Sequence, residues 1–232
     1  MWNSGADYTS ISGWYRPKPA GGGGTASFLV SAHVTGTTQN ITTTAIDTTG
    51  ANFLVIVPGA YNPTQGANPV TINDSKTNSW TSLAFYNTGS NIGSSIWYAA
   101  SPTVGTGHTF TLHGAGYSTL CVAAFSGLSA SPFDQQNGLG TTGSSSGPFR
   151  PGSITPANNG SLIIAGIAAS GNTAPFTIDS GFTVAVTESG NAGASFPSSI
   201  AYLVQTTASA VNPGWTSSLG SAQWAVTIAS FK

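Results

Sequence analysis

The chain of 232 residues carries five Lys and Arg against six Asp and Glu, so that only 5% of its side chains are charged and the net charge is −1; an ordinary soluble domain has about 25%. This excludes the basic footprint that nucleic acid requires and electrostatic attachment to a membrane, and no apolar run approaches the roughly 20 residues of a membrane-spanning helix. Ser, Thr, Asn and Gly stand where the charges would be, which predicts a neutral, hydroxyl-rich surface of the kind that suits extracellular or assembled proteins.

Residues 1–24 read as a segment of their own. Trp2, Tyr8, Trp14, Tyr15 and Arg16 precede Pro17 and Pro19, which oppose helix and central strand, and a run of four glycines follows as a hinge. Two readings stay open for this aromatic arm: it packs on its own domain, or it docks on another subunit. No basic stretch followed by an apolar one opens the chain, so a Sec leader is not expected here unless it has been removed.

From residue 25 onward the pattern is all-β. Residues 27–34 (SFLVSAHV) and 39–46 alternate as strands, and 52–58 (NFLVIVP) is an apolar run short enough for a strand buried on both faces. Residues 62–69 read as loop, 70–72 and 80–85 as strands around a polar loop. The stretch 94–127 reads as one all-β packing unit of three further strands, at 96–98, 109–112 and 120–125. Residues 128–159 are rich in Gly, Ser and Pro and read as a long loop. Strands resume at 162–167, 176–178, 182–186, 200–205, 215 and 224–231, the last pinning the C-terminal end in a sheet. Apolar spacing of three to four never persists long enough for a helix.

The later strands echo the earlier ones. FLVIV (53–57) matches LIIAG (162–166), VTINDS (70–75) matches FTIDS (176–180), SSIWY (94–98) matches SSIAY (198–202) and AAF (123–125) matches ASF (229–231), in one order and at offsets of 104 to 109 residues. The expected fold is a jelly-roll-like antiparallel β-sandwich over 25–232, built from an internally duplicated set of strands. The copies span about 51–127 and 160–231. Each is thin for a sandwich of its own, so the two are expected to interleave.

Few residues suggest chemistry. Residues 138–143 fit G-x-G-x-x-G and 143–147 fit G-x-S-x-G, but neither leads into a helix, which both motifs need. The carboxylates are scattered, and Asp74 and Asp179, equivalent in the repeat, read as loop formers. Asp74 with Asn78 makes a poor Ca²⁺ site. His108 and His113 flank one strand at an odd spacing and face opposite ways. The lone Cys121 lies in an apolar strand and reads as a buried thiol. The four strand tryptophans, Trp80, Trp97, Trp215 and Trp224, read chiefly as core anchors. Trp97 and His108 are replaced by Ala201 and Gly214 in the second copy, so they are the candidate glycan contacts specific to the first. No catalytic residue, cofactor or metal ligand is expected.

The D-S-x-x-N-x-W loop (Asp74 to Trp80), the GTGHTF turn (Gly105 to Phe110) and the closing WAVTIASFK together resemble a loose group of β-sandwich proteins of tailed phages and some environmental bacteria. The resemblance covers residues 45–232 and rests on structural motifs, so it transfers no functional residue. It implies a non-enzymatic virion component of the decoration, head-fibre or tail type. Such a protein would be assembled in the host cytoplasm and be homo-oligomeric, with Trp2, Tyr8, Trp14, Tyr15 and Arg16 docking on other virion proteins. A carbohydrate-binding module that meets a host-surface glycan, or a self-assembling surface or filament subunit outside the cell, is the alternative.

Overall fold

The structure, a computed structural model, describes residues 25–61, 68–88, 92–143, 147–171, 176–190, 196–217 and 222–232. The aromatic arm, with Trp2, Tyr8, Trp14, Tyr15 and Arg16, lies outside the described residues. In chain order the strands are β1 (Ser27–Gly36), β2 (Asn40–Thr42), β3 (Phe53–Tyr61), β4 (Thr71–Asp74), β5 (Thr81–Ser82), β6 (Tyr86–Asn87), β7 (Ile92–Ser94), β8 (Trp97–Ala100), β9 (Phe110–His113), β10 (Ser118–Ser126), β11 (Phe133–Gly143), β12 (Ser161–Ala169), β13 (Phe176–Ile178), β14 (Thr183–Glu188), β15 (Ser198–Gln205), β16 (Trp215–Ser217) and β17 (Ala222–Phe231). The described residues form no helix, and the strand ladders are antiparallel, as the alternation predicted.

Four layers stack on one another. In the first main sheet β3 lies between β10 and β8, with β1 outside β10 and the short β7 and β6 continuing from the far end of β3. The second main sheet runs β11-β17-β12-β15-β14. The inner faces of the two meet in one core: Phe53, Val55, Val57, Cys121 and Phe125 pack against Leu162, Ile164, Ile200 and Phe231. The three-stranded sheet β2-β9-β4 covers the outer face of the first main sheet, laying Ile72, Phe110 and Leu112 on Leu54, Ile56, Leu120 and Val122. The pair β13-β16 covers the second, laying Phe176 and Trp215 on Ala165, Ile167, Trp224 and Val226.

This layering explains the continuous apolar runs. Successive side chains of β3 enter opposite cores, Phe53, Val55 and Val57 one and Leu54 and Ile56 the other, so period two is invisible when both faces are dry. Each such side chain contributes about 1.5–3 kcal/mol by leaving water. β10 and β12 are buried along their length for the same reason.

Three expectations change. First, the two stretches of repeat do not interleave: every described ladder joins strands within β1–β10 or within β11–β17. The halves meet instead through apolar faces and a few polar contacts, among them Thr119 Oγ1 donating to Phe196 O at 2.6 Å. Second, the stretch 94–127 is not one packing unit, because β8 and β10 flank β3 while β9 crosses to the outer sheet. Third, the supposed loop 128–159 contains β11, which pairs with the whole of β17. Its glycines have a steric cause, since β6 rests on this strand. A Cβ at Gly138 would meet the Tyr86 ring at 2.4 Å, and one at Gly140 would meet Asn87 O at 1.8 Å.

The registers of the two main sheets agree. Phe53 lies opposite Phe125 on one side and Ala100 on the other; Leu162 lies opposite Phe231 and Val204. These are the positions that the sequence offsets pair with one another.

Candidate functional site

The two motifs of the resemblance converge at one end of the outer sheet. Asp74 closes β4 and turns the chain: its Oδ1 accepts from Lys76 N at 2.8 Å, and Thr77, in the left-handed region at φ 59°, donates its N–H to Asp74 O at 3.2 Å. Asn78 ties this turn to the next loop, donating from Nδ2 to Thr103 O at 3.0 Å and accepting from Thr103 N at 2.6 Å. Trp80 donates its indole N–H to Asp74 Oδ2 at 2.7 Å. The D-S-x-x-N-x-W spacing is therefore the wiring of one Asx-type turn.

The GTGHTF turn arrives from the other side. Gly105 and Gly107 take φ values of 145° and 68°, in the region that L side chains avoid, and His108 follows, bridged to Ile46 through both backbone groups. Its Nδ1 lies 2.8 Å from Thr48 Oγ1, and its Nε2 lies 3.2 Å from Asp74 Oδ1 but off the line of a hydrogen bond. A proton on Nε2 faces the carboxylate, which leaves Nδ1 to accept from the Thr48 hydroxyl. The imidazole also stacks on Phe110, centroids 4.3 Å apart. Burial holds the His108 pKa below its ordinary value, and Asp74 only partly offsets this.

A hydroxyl, an imidazole and a carboxylate in sequence have the bonding order of a nucleophilic triad. The setting does not: Thr48 and His108 are 0% exposed. Without solvent or substrate contact the chain of groups satisfies buried polar atoms and fixes the outer sheet to the loops. His108 is thus corrected as a candidate glycan contact, since no atom of it reaches the surface. Trp97 is half-buried, with its body against the core formed by Leu54, Ile56 and their neighbours and its indole nitrogen buried without a hydrogen-bond partner. Trp215 and Trp224 are fully buried, and Trp224 is stacked on Phe149 at 3.8 Å.

In the second half Asp179, which the sequence offset matches with Asp74, is served differently. Its Oδ1 accepts from Gly214 N at 2.7 Å and Ser180 Oγ at 2.8 Å, and Oδ2 from Arg150 Nη2 at 2.8 Å. A Cβ at Gly214 would lie 3.0 Å from the Arg150 guanidinium. Arg150 therefore covers the position whose first-half counterpart carries His108. Partial burial raises the Asp179 pKa, but the Gly214 N–H, the Ser180 hydroxyl and Arg150 outweigh it and hold the carboxyl below its ordinary value.

Two further polar features carry no sequence signal. His33 Nδ1 lies 2.6 Å from Glu188 Oε2, joining β1 to β14 across the two halves. Asp134 accepts from Ala157 N and Ser230 Oγ, both at 2.9 Å. Cys121 is fully buried against Ser198, and burial pushes its thiol up to about 12, which leaves it protonated and unreactive. No group of three His, Cys, Asp or Glu among the described residues is placed to hold a metal ion. No family model, no curated protein and no solved structure matches the chain.

Proposed function

We propose that this chain is a non-enzymatic structural subunit, a virion component of the decoration, head-fibre or tail type, whose aromatic arm docks on other virion proteins. One observation carries the non-enzymatic part: Thr48–His108–Asp74, the constellation with the strongest catalytic appearance, is closed off from solvent and spent on packing. The low charge supports the assembly part, because copies at −1 each repel little. The architecture supports a duplicated unit. Phe53 with Phe125 and Ala100, and Leu162 with Phe231 and Val204, stand in the same register, and each half adds a small sheet outside its main one. We read the chain as two copies of that unit packed face to face, a scaffold that presents edges and loops rather than a reactive cleft.

The test is to purify particles from the producing culture on a density gradient and search them for the chain by mass spectrometry. Trp2→Ala, Trp14→Ala and Tyr15→Ala together should deplete it from the particle fraction while the protein stays soluble. Particles that lack the chain, or that retain the triple variant equally, overturn the reading. Trp-fluorescence changes on addition of an oligosaccharide would replace it with the carbohydrate-binding one.

A further inference from the structure

The second main sheet ends in a strand of unusual character. β11 runs for 11 residues and is hydrogen-bonded along one side only, to β17; no ladder or backbone hydrogen bond to its other side occurs among the described residues. Proteins ordinarily protect such an edge with lysines, prolines, short length or a covering element, because unpaired N–H and C=O groups template another strand. Here the sequence from Gln135 to Gly143 has no charge and no proline. The two faces of the strand are engaged, which leaves the edge itself. On the inner face β6 lies against Gly138 and Gly140; on the outer face Asn137 Nδ2 donates to Ser153 O at 3.2 Å and Gln135 bonds Thr155. The N–H of Gly138 turns to a local substitute, Asn137 Oδ1 at 2.8 Å. Beside it Leu139 is one of the few large apolar side chains left open, at 49%.

We propose that this edge is where two copies of the chain join, β11 pairing antiparallel with β11 of the second copy about a twofold axis, so that the two five-stranded sheets become one. A second copy is the occupant the chemistry favours for three reasons. Antiparallel pairing of a strand with itself closes on a dimer instead of propagating. The strand's one charge, Asp134, stands near its start, so a twofold centred on Leu139 sets it past Gly143 at the uncharged far end and not opposite itself. The net charge of −1 leaves little repulsion between whole copies. Leu139 and its mate then flank the twofold and shield each other from water. The inference is independent of the particle reading and can stand or fall without it.

The full chain should sediment as a dimer at tens of micromolar in analytical ultracentrifugation. Leu139→Lys, which places like charges together at the twofold, should shift it to monomer at the same concentration with an unchanged circular-dichroism spectrum. In parallel, Leu139→Cys should cross-link into a disulfide dimer under mild oxidation, whereas Val184→Cys, at a side chain 38% exposed on the opposite edge strand of the same sheet, should not. Cys121 is buried and does not compete. A monomeric wild type, a dimer that Leu139→Lys leaves intact, or equal cross-linking from both cysteines overturns the proposal.

Discussion

Removing the Asp74 carboxylate tests whether the motif cluster is structural. The side chain is fully buried and receives Lys76 N at 2.8 Å and Trp80 Nε1 at 2.7 Å, with Asn78 N and Nδ2 at 3.4 and 3.3 Å and His108 Nε2 at 3.2 Å. Asp74→Ala leaves the indole and the Lys76 amide, both part-buried, without this acceptor. A buried donor stripped of its partner costs about 1–3 kcal/mol. Asn78 retains its bonds to Thr103 and contributes little, so two stranded donors give about 3–4 kcal/mol, a large share of the stability of a domain of this kind. Asp179→Ala is the internal control. Its ion pair with Arg150 leaves both side chains more than 40% exposed and such pairs are worth about 1 kcal/mol or less, while the one backbone donor it strands, Gly214 N, adds about 1 kcal/mol at the low end of the same range. Guanidinium unfolding followed by tryptophan fluorescence reads both, with unchanged m-values required for comparison. An Asp74→Ala loss under 1 kcal/mol, or one no larger than that of Asp179→Ala, would refute the assignment of these residues to a buried structural network.

The remaining predictions concern pH and packing. Because burial lowers the His108 pKa from its ordinary 6.5, the unfolded chain binds that proton more readily than the folded one. The resulting contribution to stability is full above about pH 6.5, where both states are neutral, and is lost progressively as pH falls toward the folded-state value. The groups facing the ring are Asp74 and, more distantly, Lys76; His108→Gln should flatten the dependence between pH 7 and 5, and an unchanged slope in melting temperature would count against it. Gly140→Ala forces a methyl against the Asn87 backbone and should cost about 1–3 kcal/mol by overpacking. Gly160→Ala meets nothing within 4 Å but sits at φ 78°, and its cost should stay near about 1 kcal/mol; equal losses would show that β6 does not rest on β11 as described.

How far the sequence discloses this molecule depends on where each signal resides. Side-chain pattern carried the strands of the two main sheets, because a run such as 53–57 must be apolar throughout when both its faces are dry. β11 reads as loop in the sequence because its contribution lies in backbone pairing and in the side chains it lacks at Gly138 and Gly140. A strand covered by another strand at van der Waals distance has the composition of a linker. His108 reads as a candidate glycan contact although a usable signal exists against it: it has the same parity as Phe110 and Leu112, both of which face inward from β9. What parity could not show was that β9 belongs to an outer sheet whose inner face is core.

The comparison of the two halves makes a related point about repeats. Asp74 ends β4 and Asp179 follows β13, and each carboxylate lies beside the position, His108 in one half and Gly214 in the other, that the sequence offset matches. In the first half the carboxylate is held by the Lys76 amide and the Trp80 indole, with the buried His108 imidazole 3.2 Å from it. In the second the side chain is deleted, and Arg150, from the segment that leads into the second half, fills the space from outside. Aligned residue by residue, His108 against Gly214 suggests a function gained by one copy. Seen as an electrostatic requirement, it is one problem solved twice, once by burial and once at the surface. The difference that remains between the halves is therefore stability: the imidazole version is sealed in and pH-sensitive, the guanidinium version is open to solvent and screened by salt. Added salt should weaken the Arg150–Asp179 contact and leave Asp74–His108 unaffected.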